Sequence, residues 1–163
     1  MTSSTSFPAR AIRATKDRVE SFAEELAKQV NFNPGDDIED LVRRAGGELV
    51  VGSSGHGDAE SGSIVVRAMD DFTIYLSQHT SSKRDRFTIA HELGHLLLHF
   101  KPLLKEHPGA TMRATRYVDE NDTEQQRAEW EANWFAAGFL MPREEFTEAY
   151  QDDPGFAADM FKV

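Results

Sequence analysis

The chain has 163 residues, 18 Lys and Arg against 28 Asp and Glu, a formal charge of −10 and no cysteine. That length suits one domain with a real core, and the acidic balance argues against a phosphate backbone or an anionic membrane as main partner, since both need clustered Lys and Arg. Without cysteine there are no disulfides, no thiol catalysis and no thiolate metal sites, so any metal must be held by His, Asp or Glu.

In chain order, residues 1–16 (MTSSTSFPARAIRATK) are rich in Ser and Thr and free of acidic residues. They lack the apolar core of a secretory signal and read as an unstructured tail, leaving 17–163 as the folded domain. DRVESFAEELAKQV carries Val19, Phe22, Ala23, Leu26 and Val30 at helical spacing. A turn at NPGDD, a short helix with Ile38, Leu41 and Val42, a stop at Gly46-Gly47 and a strand over 48–51 follow. GSSGHGDAESGS suits a loop, and SIVVRAMDDFTIYLS reads as a hairpin of strands 64–67 and 72–76. Thr80-Ser81-Ser82 opens a helix that carries FTIAHELGHLLLH. Residues 100–121, broken by Pro102, Pro108 and Gly109, read as irregular. Asp122 or Thr123 then caps a second long helix that runs to Leu140, with Pro142 beyond it, and a short amphipathic stretch closes the chain. No apolar run approaches the ~20 residues of a membrane-spanning helix. The expected fold is α+β, a single domain with a small sheet beside a pair of helices.

HELGH places His91 and His95 one helical turn apart on one face, where both imidazoles can grip a single ion. Glu92 is turned about 100° away from His91. It would lie beside the ion, where a general base takes a proton from water. Chance HExxH matches are common, but Phe87, Ile89, Leu93 and Leu97 make the surrounding helix a buried one. His99 lies ~12 Å along the axis from His91 and cannot share its ion unless the helix breaks. It is expected to serve as a structural residue or as a support for a ligand.

A third ligand is expected from the second helix, where AEWEANWFAAGFLMP offers Glu129 and Glu131. Asn133, Ala136 and Leu140 fall within about 40° of Glu129, a face of small and apolar residues suited to another helix. Glu131 lies about 200° round, beside Arg127, and reads as a solvated glutamate in an i,i+4 pair. Glu129 is therefore the expected ligand. Asn133 either accepts a hydrogen bond from a ligand histidine or simply packs between helices. His56, His79 and His107 show no ligand spacing and read as surface residues.

RFTIAHELGHLLLH followed by EWEANWFAAGFLMP resembles the ImmA/IrrE family of metallopeptidases, with similarity from about residue 20 onward. The resemblance implies a zincin-like domain with a gluzincin-like site. Its ligands would be His91, His95 and Glu129, with Glu92 as base and Zn2+, or another divalent ion such as Mn2+, as cofactor. It also implies a bacterial cytoplasmic setting and, as partner and substrate, a helix-turn-helix repressor cut to derepress mobile-element or stress-response genes. The stretch between His95 and Glu129 is long for the family. Members commonly continue past an apolar stretch into another helix, whereas this sequence ends at AADMFKV.

The leading reading is a zinc endopeptidase without direct contact to nucleic acid or membrane. Arg116, Tyr117 and His107 are open candidates for the oxyanion donor. The rival readings are a module that binds a transcription factor without cutting it and a toxin–antitoxin component. Glu92 favours catalysis, since a binder needs no base beside the ion.

Overall fold

The computed structural model describes residues 5–52, 62–78, 81–116 and 118–162. Most of the glycine- and serine-rich loop, with His56, and also His79 and Tyr117, lie outside them.

The N-terminal segment is more ordered than its composition suggests. Strand β1 (Ser6–Pro8) pairs in parallel with a later strand, and Ala9 just beyond it is buried. The unstructured tail expected through residue 16 therefore gives way to a bound arm. A pairing partner so far along the chain leaves no mark on local composition. Thr15 then caps α1 (Lys16–Gln29), its hydroxyl accepting from the Arg18 N–H. Asp37 caps α2 (Ile38–Arg44), taking the Glu39 and Asp40 N–H groups. Gly46 ends that turn at φ +97, where an added Cβ would stand 2.0 Å from the Asp70 carbonyl oxygen.

Strands β2 (Gly47–Val51), β3 (Ser63–Ala68) and β4 (Asp71–Leu76) match the expected strand and hairpin. The register sets Ile64 opposite Ile74 and Val66 opposite Phe72, all four fully buried, so the alternation supplies one face of the core. Helix α3 (Ser82–Gly94) starts at the cap Ser81 and runs without a break into a π-helical turn, His95–Phe100, and then α4 (Lys101–Glu106). Pro102 sits in the first turn of α4, where a missing N–H is tolerated. The region expected to be irregular therefore opens with a helix and also holds a strand, β5 (Thr111–Thr115). Only Met112 and Ala114 carry the apolar half of its alternation, a weak signal between polar neighbours, yet both are buried opposite Val66 and Ile64.

The sheet order is β1-β5-β3-β4-β2, mixed, with parallel pairs at both edges. Helix α5 (Thr123–Leu140) lies between α1 and α3, and α6 (Arg143–Asp152) and α7 (Pro154–Phe161) pack on each other. Small residues allow the close packing of α5 on α1 and α3. At Gly138 an added Cβ would meet the Glu20 carbonyl oxygen at 2.7 Å, and at Gly94 it would meet Ala132 Cα at 3.2 Å. Ala128, Ala132 and Ala136 complete the close face of α5. Each large apolar side chain buried around it, such as Phe135 or Leu140, contributes about 1.5–3 kcal/mol. The fold is α+β, with the HExxH helix held between the sheet and α5. No helix among the described residues is long and apolar enough to cross a membrane.

Candidate metal centre

Two elements build the site. Helix α3 and the first residue of the π-helical turn bring His91 and His95 to one face, their rings edge-on with centroids 4.8 Å apart, and both are buried. Helix α5, drawn close by its small residues, presents Glu129 to the same point. Its carboxylate oxygens stand 3.0 Å from His91 Nε2 and 2.9 Å from His95 Nε2. The expected trio of His91, His95 and Glu129 is thus brought together. Glu131 is not part of it. Glu129 keeps 16% of its side chain exposed, whereas the two imidazoles are at 1%, so the site opens to solvent on the carboxylate side.

The far nitrogens of both rings are spoken for. Asn133 Oδ1 lies 2.8 Å from His91 Nδ1, so the asparagine does more than pack. A side-chain amide oxygen can only accept, which puts the proton on His91 Nδ1. His95 Nδ1 stands 3.0 Å from His99 Nδ1, and His99 Nε2 stands 2.9 Å from Glu131 Oε1. Burial pushes the His99 imidazole down to about 4 despite its carboxylate partner, so the ring is neutral at pH 7. Its Nε2–H donates to Glu131, and its bare Nδ1 accepts from His95 Nδ1–H.

Glu131 corrects the expectation of a solvated glutamate. It is fully buried, covered by His99 and by the N-terminal arm, whose Ile12 N–H donates to Oε1 at 3.0 Å. Burial alone would raise its carboxyl, but hydrogen bonds from His99 and Ile12 outweigh that and lower it. One sequence signal pointed this way: Ala128 and Phe135, three before and four after Glu131, are themselves core residues.

Chemistry supplies a test of fit for a metal. With both Nδ1–H groups committed, each ring turns an Nε2 lone pair toward an oxygen of Glu129. Lone pairs facing a carboxylate at hydrogen-bond distance call for a cation between them. Two imidazole nitrogens and one carboxylate are a donor set suited to zinc with a position left open. The buried cluster of His91, Glu92 and His95 has ligand atoms within 4.8 Å of one another. Glu129, at 3.0 and 2.9 Å from the two nitrogens, is the closer candidate for the third ligand.

Both carboxylate oxygens of Glu92 are buried without a hydrogen-bond partner among the described residues. Burial, and then the Glu129 charge, raise its carboxyl well above the ordinary range, with Arg116 pulling the other way. Such a group is poised to take and hold a proton. Gly62 lies against it, where an added Cβ would reach Thr88 Cγ2 at 2.4 Å and Glu92 Oε1 at 3.1 Å. Of the oxyanion candidates, Arg116 is half-buried beside Thr88, 3.5 Å from its hydroxyl, and its charge acts on Glu92 and His95. His107 instead stacks on Phe7 of β1 at 4.8 Å.

A histidine pair one turn apart, a carboxylate from α5 and a buried glutamate with no hydrogen-bond partner among the described residues fit a metallopeptidase-type domain. The Peptidase_M78 family model, described as an IrrE N-terminal-like domain, matches residues 56–163, about two thirds of the chain. The chain belongs to this ImmA/IrrE family of metallopeptidases. A search of curated proteins gives no match.

Proposed function

We propose that the chain is a zinc-dependent endopeptidase that cuts a helix-turn-helix transcriptional repressor and so derepresses the genes it silences. His91, His95 and Glu129 are the ligands. The observation that carries the catalytic part is Glu92, a buried carboxylate with no partner and a raised proton affinity beside that ligand set. A structural ion pair or a binding surface gives no reason for it.

A zinc ion in this site supplies Lewis acidity to the scissile carbonyl and to the attacking water. Glu92 takes the proton of that water and returns it to the leaving amine. Asn133 and His99 hold the two imidazoles with Nε2 unprotonated. Arg116 is the cation best placed to meet negative charge on the carbonyl oxygen. The repressor assignment rests on the family resemblance and on the acidic surface, which directs any effect on transcription through a protein partner.

The test is incubation of the zinc-loaded chain with a candidate repressor, read by intact mass. Two fragments summing to the repressor plus one water, absent with Glu92→Gln, support the proposal. Stable binding without fragments would instead favour a regulatory module that holds a transcription factor.

A further inference from the structure

We infer that the N-terminal arm, residues 9–14, is a working part of the metal centre, acting through Glu131 and His99 to position His95. The inference rests on the ligand assignment proposed above. It goes beyond it because the arm lies outside the family-matched region, 56–163.

The strand before the arm and three contacts of the arm itself tie it down. The backbone of β1 pairs with β5, the Ile12 N–H donates to Glu131 Oε1, Arg127 donates through Nη2 to the Ala14 carbonyl at 2.7 Å, and Arg13 pairs with Glu124. The Arg127 Nε also stands 3.6 Å from Glu131 Oε2, and its guanidinium lies over Trp134. The carboxylate is thereby held from two sides, by an amide of the arm and by an arginine that itself grips the arm.

Only one proton arrangement lets His95 bind a cation through Nε2. His95 must donate from Nδ1, so His99 must accept at Nδ1 and carry its own proton on Nε2, and that proton needs an acceptor. Glu131 Oε1 is the acceptor, at 2.9 Å. Remove it and His99 is free to turn or change tautomer, with nothing left to fix the His95 ring. The i,i+4 step from His95 to His99 falls within the π-helical turn, an irregularity that is frequent at functional sites. Ile12 and His99 donate to the same oxygen, so the position of Oε1, and through it the line from His99 to His95, depends on where the arm lies.

The experiment measures zinc affinity by competition with a chromophoric chelator, using the full chain throughout. Glu131→Ala and His99→Phe should each weaken zinc binding about 10–100-fold, the usual loss when a ligand histidine loses its support. Glu131→Gln keeps an acceptor at Oε1 and should recover most of that loss, which a purely electrostatic role would not allow. Glu148→Gln, on exposed α6, should match wild type. Melting of the metal-free proteins by circular dichroism checks that each variant folds, and His99→Phe serves if Glu131→Ala does not. Hydrogen exchange gives a second readout. The Ile12 amide should exchange faster in Glu131→Ala, and faster in wild type once zinc is chelated, as reciprocal coupling requires. Wild-type zinc affinity in both Glu131→Ala and His99→Phe, or an Ile12 amide indifferent to zinc, would overturn the inference while leaving the proposed ligands standing. A wild-type chain that binds no zinc would overturn both.

Discussion

At the scale of single residues, the proposed function assigns Glu92 as a base apart from the ligands His91, His95 and Glu129. Glu92 is buried with no hydrogen-bond partner among the described residues and its raised proton affinity favours the uncharged acid, so a neutral amide of the same size is no burden on the fold. Glu92→Gln should therefore melt at or above the wild-type temperature when metal-free, keep its zinc and lose cleavage by two or more orders of magnitude, on the scale of a lost general base. Retained cleavage of a verified substrate would remove the base from the mechanism. Gly62→Ala pushes a methyl group against Thr88 and toward Glu92 Oε1, and is expected to lower turnover while zinc content stays unchanged. A parallel loss of zinc would show that the strain reaches the ligands instead.

Among the elements, α5 carries the most weight, because its packing on α1 and α3 sets where Glu129 meets the histidines. Gly138→Ala, aimed at the backbone of Glu20, should cost about 1–3 kcal/mol by overpacking, seen as a lower melting temperature. The start of α5 gives a pH test. The Gln125 backbone N–H, followed by its side-chain amide, holds the Asp122 carboxyl below its ordinary 3.8. A depressed acid contributes stability that is full above its unfolded value and is lost as pH falls through the lower folded value. The melting difference between wild type and Asp122→Ala should thus be constant at neutral pH and close below 3.8. A difference that persists there would point to a role other than the charged cap. The helices α1, α2, α3 and α5 and the β3–β4 hairpin were legible because each carries a cap or an apolar period of its own. β1 and β5 were not, since a three-residue strand and a Thr-Met-Arg-Ala-Thr alternation acquire meaning only by pairing with each other and with β3. The π-helical turn was hidden too: nothing in Leu96-Leu97-Leu98 breaks the α period.

The whole molecule combines a net charge of −10 with a buried candidate metal centre. Net charge −10 predicts negligible affinity for duplex DNA at physiological salt, because an acidic surface gains nothing from counterion release. Tight, salt-sensitive gel shifts by the isolated chain would contradict that and redirect the account of transcription. Of the candidate site, sequence alone singled out His91, His95, Glu92 and Glu129, which the structure brings near one another, because their spacing is set within single helices. It misplaced Glu131, because burial there depends on the arm folding over α5, a contact between the two ends of the sequence that helical phase cannot register. The most direct test of the central claim is metal content by mass spectrometry after exhaustive dialysis of wild type, Glu92→Gln and Glu129→Ala. One zinc per chain in the first two and little or none in Glu129→Ala is the expected result. A wild-type chain without metal, or Glu129→Ala retaining it in full, would contradict the claim that two helices close on one ion.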